Sequence, residues 1–331
     1  MSAENTLNVL RHKIFNLSAE NFEAVALEVF HYQYSNNPVY RQYVDLLKKN
    51  INSINHIQQI PFLPISFFKT HKVVTAPRVE KVFESSGTTG QVTSKHYVHS
   101  LALYEESFMK CFQNVFGNVN QYCILGLLPS YLERNNSSLV YMVNSLIEKS
   151  GHSQSGFFLN EYEKLNALIL QLEQQRQPYL LFGVTFALLQ FAEIFAGTIT
   201  CGTIIETGGM KGRGKELIRT ELHEILKTKF NTENISSEYG MTELLSQAYL
   251  NSNNAFVPPN WMKILIRDIY NPFSYVDCGT TGAINVIDLA NIYSCSFIET
   301  ADLGKTYIDG TFEVLGRTDH SEMRGCNLLV V

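Results

Sequence analysis

The sequence predicts an α/β fold: a mostly parallel sheet flanked by helices, followed by a smaller β-rich subdomain. Three observations carry that expectation. From Val82 onward a unit recurs in which a short apolar run gives way to a loop of Gly, Ser, Thr or Pro and then to an amphipathic run, the alternation that builds a parallel sheet covered on both faces. After Pro258 the texture changes to closely spaced runs of strand character. Hydrophobic residues make up 45% of the 331, and aromatics 12%, which is ample material for a large core.

Residues 1–80 read as a helical opening segment packed on the core. Phe22, Val25, Ala26, Val29 and Phe30 recur at helical spacing, and Ser18 precedes them as an N-cap. In the following IPFLPISFFK, Pro61 and Pro64 forbid a regular helix and predict an extended strap. The α/β core spans 81–257. There the run 122–128 leads through Pro129 to a helix over 137–147, and 179–182 leads through Gly183 to a helix over 187–195. Residues 203–205 precede the loop TGGMKGRG and a helix over 216–230; residues 235–237 precede EYGMTE and a further helix. The most apolar stretch, 179–205, is interrupted by Gln190 and Glu193 and punctuated by Gly183, Gly197 and Gly202, so it reads as strand, helix and strand rather than a membrane span. The β-rich subdomain, 258–315, holds MKILIRDI, GAINVIDL, CSFIETAD, KTYIDG and TFEVLG, with Asp309-Gly310 as a hairpin turn. Residues 316–331 form a short tail.

A net charge of −5 gives no positive field to draw in nucleic acid or an acidic membrane surface, so small-molecule chemistry is the expectation. The N-terminal MSAENTLNVLRHKIF lacks the apolar centre of a secretory signal, which predicts a cytoplasmic protein without membrane insertion. Six cysteines without a C-x-x-C pair, and nine histidines without an HExxH stretch, argue against a structural zinc site or a disulfide framework.

Four short motifs carry the chemistry. Ser85, Ser86, Gly87, Thr88, Thr89 and Gly90 combine turning glycines with four hydroxyls, which suits a loop that holds polyphosphate oxygens; the same spelling also serves a surface turn. Tyr239, Gly240, Met241, Thr242 and Glu243 lie at the carboxyl end of a strand, where side chains converge on ligands. Glu243 is a hard oxygen ligand suited to phosphate-bound Mg2+, and Thr242 can donate to a phosphate, although a carboxylate there also suits a helix N-terminus. Asp302 can accept from both ribose hydroxyls or cap the turn before Gly304. Arg317, in Gly316-Arg317-Thr318-Asp319, can bind ribose or phosphate or form a surface ion pair. Walker-like spacing in Gly209-Met210-Lys211-Gly212-Arg213-Gly214-Lys215 fails as a P-loop because Glu216 stands where the magnesium-binding hydroxyl belongs.

In that order, SSGTTG, YGMTE, TADLG and GRTD resemble the adenylate-forming superfamily of acyl-CoA synthetases, adenylation domains and firefly-type luciferases. With IPFLPISFFK, LLPSYLERNNSSLVYM, FGVTF, ETGGMKGRG and RGCNL, the chain from about Pro61 onward is most similar to the LuxE-like acyl-protein synthetases of bacterial bioluminescence. The resemblance implies the large N-terminal domain of such enzymes, ATP and Mg2+ as cofactors, and a fatty or other carboxylic acid as substrate. Residues 85–90 would embrace the phosphates, Glu243 the magnesium, Gly208 and Gly209 the adenine, and Asp302 and Arg317 the ribose. Phe182, Gly183 and Thr185 would lie near the acyl chain, and Cys326 would accept the acyl group as a thioester. An acyl reductase or acyltransferase is the implied partner protein, and assembly into a homo-oligomer stays open.

The chain departs from the superfamily in two places. The superfamily loop continues with Pro and Lys, whereas Gln91-Val92-Thr93-Ser94-Lys95 follows here. The usual large C-terminal domain, with the lysine that contacts the adenylating carboxylate, is not in the sequence. Lys211 is the expected substitute, ahead of Lys95. Arg324 beside Cys326 favours a thiolate, while Leu328 to Val331 also suit an inert core strand. A phenylacetate-type acyl-CoA ligase and an inactive acyl-binding scaffold are the alternatives.

Overall fold

A computed structural model describes residues 3–86, 92–128, 136–208 and 217–317. The chain opens with helices α1 (Ala3–Phe15), α2 (Phe22–Asn36) and α3 (Pro38–Leu46). The stripe Phe22, Val25, Ala26, Val29, Phe30 of α2 is buried, as its spacing predicts. Ser18 makes no side-chain cap; Asn37 does, accepting from the amides of Val39 and Tyr40 ahead of Pro38 at the first helical position. The two prolines of the strap hold an extended pair, β1 (Leu63–Pro64), which adds in parallel to the edge of a later strand, before the short α4 (Phe67–Thr70).

A hairpin follows, β2 (Lys81–Glu84) against β3 (Lys95–Val98), and from it α5 (Leu101–Phe116) descends. Four units then alternate: β4 (Cys123–Leu127), α6 (Ser138–Ser150), β5 (Gly156–Phe157), α7 (Tyr162–Gln175), β6 (Tyr179–Gly183), α8 (Thr185–Ala192), β7 (Gly202–Glu206), α9 (Arg219–Phe230) and β8 (Ile235–Tyr239). Strands β5, β4, β6, β7 and β8 are parallel neighbours in that order, and β4 to β7 each lead into a helix. β4 and β6 are buried throughout, as strands covered on both faces must be.

The helix expected after EYGMTE is not formed. The chain turns through Met241 to Leu245 into β9 (Ala248–Leu250), antiparallel to β8. The cause is Asp288, whose carboxylate accepts from the amides of Leu245 (2.8 Å) and Ser246 (3.0 Å), donors that a helix needs for its own ladder. β10 (Phe256–Val257), β11 (Met262–Arg267), β12 (Gly282–Asp288), β13 (Phe297–Thr306) and β14 (Phe312–Arg317) continue the same sheet in antiparallel pairings. The runs CSFIETAD and KTYIDG both contribute to the single strand β13, and the turn Asp309-Gly310 joins it to β14, with Asp309 accepting from the Thr311 amide.

Side chains alternate across the sheet, and the register sorts them. Phe182, Ile205, Ser236 and Glu238 share one face, on which Tyr104 and Cys111 of α5 lie near Glu238. Glu206, Ser237 and Tyr239 share the other, on which α9 packs through His223.

Candidate functional site

The site lies at the carboxyl ends of β6, β7 and β8, where α/β sheets bind their ligands. Tyr239, the last residue of β8, donates its hydroxyl to Asp302 Oδ2 at 2.9 Å. Asp302 stands opposite Arg317 in the β13–β14 pairing and accepts from its Nε at 3.0 Å. The carboxylate is buried, 8% exposed, while the guanidinium is 73% exposed, so this is a half-solvated pair of modest energy. Each carboxylate oxygen keeps a second lone pair for a hydroxyl, and Arg317 keeps an open face for an anion.

Glu243 is buried four residues further on. Desolvation raises its pKa most; the Ser94 hydroxyl and Arg317 act the other way, and Asp302 adds to the rise. A buried carboxylate of this kind suits a hard divalent cation, which would offset its desolvation. Magnesium held through phosphate oxygens needs only one or two protein carboxylates, so Glu243 fits that role. Among the described residues no group of three or more His, Cys, Asp or Glu could hold a metal by itself.

Ser85 and Ser94 close the mouth of the β2–β3 hairpin: the Ser85 amide donates to the Ser94 carbonyl at 3.0 Å, and the Ser94 amide to Ser85 Oγ at 2.9 Å. Ser86 is exposed. Gly87, Thr88, Thr89, Gly90, Gly209, Lys211 and Cys326 lie outside the described residues. Lys95 is half-exposed and pairs with Glu84 at 3.8 Å.

Three groups that the sequence reading missed hold these parts together. His96 of β3 is buried, its pKa pushed down to about 4 by burial, and its Nδ1 donates to the Thr242 carbonyl at 2.7 Å. Its Nε2 lies 3.0 Å from Asn291 Oδ1, and the Asn291 amide donates to the Glu243 carbonyl at 2.7 Å. The hydroxyl-rich hairpin and the YGMTE turn are thereby clamped to one another. Glu206, ending β7, accepts from Thr185 Oγ1 (2.6 Å), the Gly208 amide (2.6 Å) and Ser237 Oγ (3.0 Å), and His223 Nε2 meets that same Ser237 hydroxyl at 2.9 Å. Gly208 has φ +82°, a conformation that suits glycine, so Glu206 sets the entry to the TGGMKGRG loop. Thr185 thus spends its hydroxyl on Glu206, Gly183 backs onto Leu188, and Phe182 is buried on the opposite face beside Ile205. The signal available in the sequence was a polar residue placed inside or at the end of an apolar strand run, as with His96, Glu206 and Ser237.

The architecture is that of solved adenylate-forming ligases. A solved 2-hydroxyisobutyryl-CoA ligase in complex with 2-HIB-AMP and CoA is similar at a TM-score of 0.67 and 10% identity, over 93% of this chain and 77% of that one. ATP-bound MatB from Rhodopseudomonas palustris is similar at 0.52 and 16% identity, over 72% of this chain and 48% of that one. The amide bond synthetase McbA from Marinactinospora thermotolerans scores 0.50 at 17% identity, over 71% and 48%. A search of curated proteins finds no match. The sequence matches the family described as Acyl-protein synthetase, LuxE, over residues 2–331, and the chain belongs to that family. It is an ATP-dependent ligase of the acyl-adenylate-forming kind. Among the described residues no helix is long and apolar enough to cross a membrane.

Proposed function

We propose that the chain activates a fatty acid with ATP and then carries it as a thioester on Cys326. The supporting observation is the meeting of Tyr239, Glu243, Asp302 and Arg317 beside the mouth of the Ser85–Ser94 hairpin, which brings a ribose acceptor, a cation ligand and a phosphate loop to one place. In the first step a carboxylate oxygen of the acid attacks the α-phosphorus of ATP, and pyrophosphate leaves. Asp302 orients the ribose, Arg317 and residues 85–90 hold phosphate oxygens, and the His96 clamp keeps Thr242 in register with that loop. Bound Mg2+, with Glu243 among its ligands, would neutralise the leaving pyrophosphate.

A carboxylate resists nucleophiles because it has no leaving group; its mixed anhydride with AMP does. In the second step the Cys326 thiolate attacks the acyl carbon, AMP departs, and a thioester remains. Lys211 is the proposed cation near the reacting carboxylate, and an acyl reductase or acyltransferase is the proposed recipient of the acyl group. The test is acid-dependent ATP–pyrophosphate exchange together with covalent labelling by radioactive fatty acid. Cys326→Ala should keep the exchange and lose the hydroxylamine-labile label. Retention of that label points to another acceptor, and release of free acyl-CoA from added CoA favours the CoA-ligase alternative instead.

A further inference from the structure

Four buried side-chain polar atoms lack a hydrogen-bond partner among the described residues: Ser236 Oγ, Gln247 Oε1, Tyr249 OH and Arg219 Nη1. The first three surround Glu238 on the face of β8 and β9 that looks toward α5. Tyr249 stands directly opposite Glu238 in the antiparallel pairing, so their side chains emerge on the same side. Ser236 precedes Glu238 by two residues on the same strand face. Gln247 Cγ and Glu238 Oε1 lie 3.4 and 2.2 Å from the point where a Cβ on Gly240 would be, so both turn toward the beginning of the YGMTE turn.

Glu238 keeps some exposed surface, yet its carboxyl is desolvated. Burial, and then the nearby Glu206, push its pKa up to about 8, which leaves it a neutral acid able to donate and accept at physiological pH. The α5 residues around it are Tyr104 and Cys111, both raised by burial and then neutral, and Phe116 sits edge-on to Tyr249 at 5.1 Å. Tyr104 spends its hydroxyl on the Ser138 carbonyl, so it does not satisfy the others.

An orphaned buried polar atom costs on the order of 1–3 kcal/mol. Three such atoms grouped around Glu238 are hydrogen-bonding capacity that the described residues leave unused. These groups begin beside Gly240, at the foot of the turn that carries Thr242 and Glu243, and extend to Ser236 four residues down the strand, roughly 13 Å away. Phe182 and Ile205 flank Ser236 on the same face as an apolar wall. An acyl chain whose carboxyl reacts beside Thr242 would run along this wall.

We propose that this face recognises a hydroxyl on the acyl chain, so that the preferred acid is a hydroxylated fatty acid rather than a plain one. The hydroxyl would donate to Gln247 Oε1 or Glu238 and accept from Tyr249 or Ser236. This rests on the acid-activating reading above. A site that hydrogen-bonds a substrate hydroxyl discriminates strongly against the analogue without it, because its own polar groups are left unpaired.

The test compares dodecanoate with its monohydroxylated isomers, the hydroxyl moved along the chain, in ATP–pyrophosphate exchange by the full chain. One isomer should exceed dodecanoate by at least about 10-fold in kcat/KM. In Tyr249→Phe and in Gln247→Met that ratio should fall to within about 3-fold, the loss of a single hydrogen-bond partner. A ratio near one for every isomer in the wild-type chain, or a ratio that neither variant changes, overturns the inference and leaves the face filled by water. If no acid drives exchange, the acid-activating reading itself falls. Calorimetric binding of the same acids then decides the inference alone: tighter binding of one isomer by about 10-fold upholds it, and equal binding overturns it.

Discussion

Replacing Asp288 by Asn removes one acceptor oxygen from a buried carboxylate that takes four donors. Oδ2 accepts from the amides of Leu245 and Ser246, and Oδ1 from the Ser246 hydroxyl at 2.6 Å and the Ala290 amide at 3.2 Å. An asparagine placed to keep the first two presents its own NH2 to the other two, so two charge-assisted bonds are lost, on the order of 1.5–3 kcal/mol each. Burial acts against the carboxylate, raising the pKa of Asp288, so an uncharged amide recovers part of that loss. The net expectation is a destabilisation of about 2–4 kcal/mol. The single tryptophan reports on the same place, because Trp261 donates its indole N–H to Ser246 Oγ at 2.8 Å and is buried. Urea unfolding followed by tryptophan emission should therefore show a lower midpoint at unchanged slope, and the native emission of Asp288→Asn should shift to the red before unfolding begins. Exchange should also fall at temperatures where the variant is folded, since the turn bearing Thr242 and Glu243 ends on Asp288. An unchanged midpoint, or lowered stability with native emission and exchange intact, would refute the reasoning that Asp288 shapes this turn.

Tyr239→Phe removes one of two partners of Asp302 and should raise KM for ATP up to about 10-fold with little change in kcat, the cost of one hydrogen bond to a charged group; an unchanged KM would separate Asp302 from nucleotide binding. Glu243→Gln should abolish most exchange while the urea midpoint holds or rises, since burial already disfavours its charge; exchange within a few-fold of wild type would remove Glu243 from magnesium binding. Glu238 carries a pH signature whose sign is fixed: its folded pKa of about 8 exceeds the ordinary 4.5, so the folded state holds a proton that the unfolded state releases, and stability declines as pH rises from 4.5 to 8. Relative to wild type, Glu238→Gln should gain up to ~1.4 kcal/mol per pH unit across that window, and parallel stability profiles would show that the carboxyl is solvated. Glu206→Gln should loosen the Gly208 amide and weaken nucleotide binding more than acid binding, which calorimetry with each ligand separately can read.

The sequence by itself determined the alternation of β4 to β8 with their helices, the buried stripe of α2, the hairpin turn at Asp309 and the four motifs. Each of these is a local property: a period of two or 3.6, a proline that forbids a helix, a cluster of glycines and hydroxyls. It also named Asp302, Arg317, Tyr239 and Glu243, because residues with site chemistry stood out within short polar interruptions of apolar runs. Only the tertiary structure decided how they meet. His96 reaches Thr242 across 146 residues, Asp288 captures amides 42 and 43 residues before it, and Glu206 draws Thr185, Gly208 and Ser237 from three elements. The missing helix after YGMTE shows the reason. Local spacing offered that segment a helix, but a buried carboxylate arriving from β12 offered its amides stronger acceptors, and a donor bonded to Asp288 is no longer free to close a helical turn.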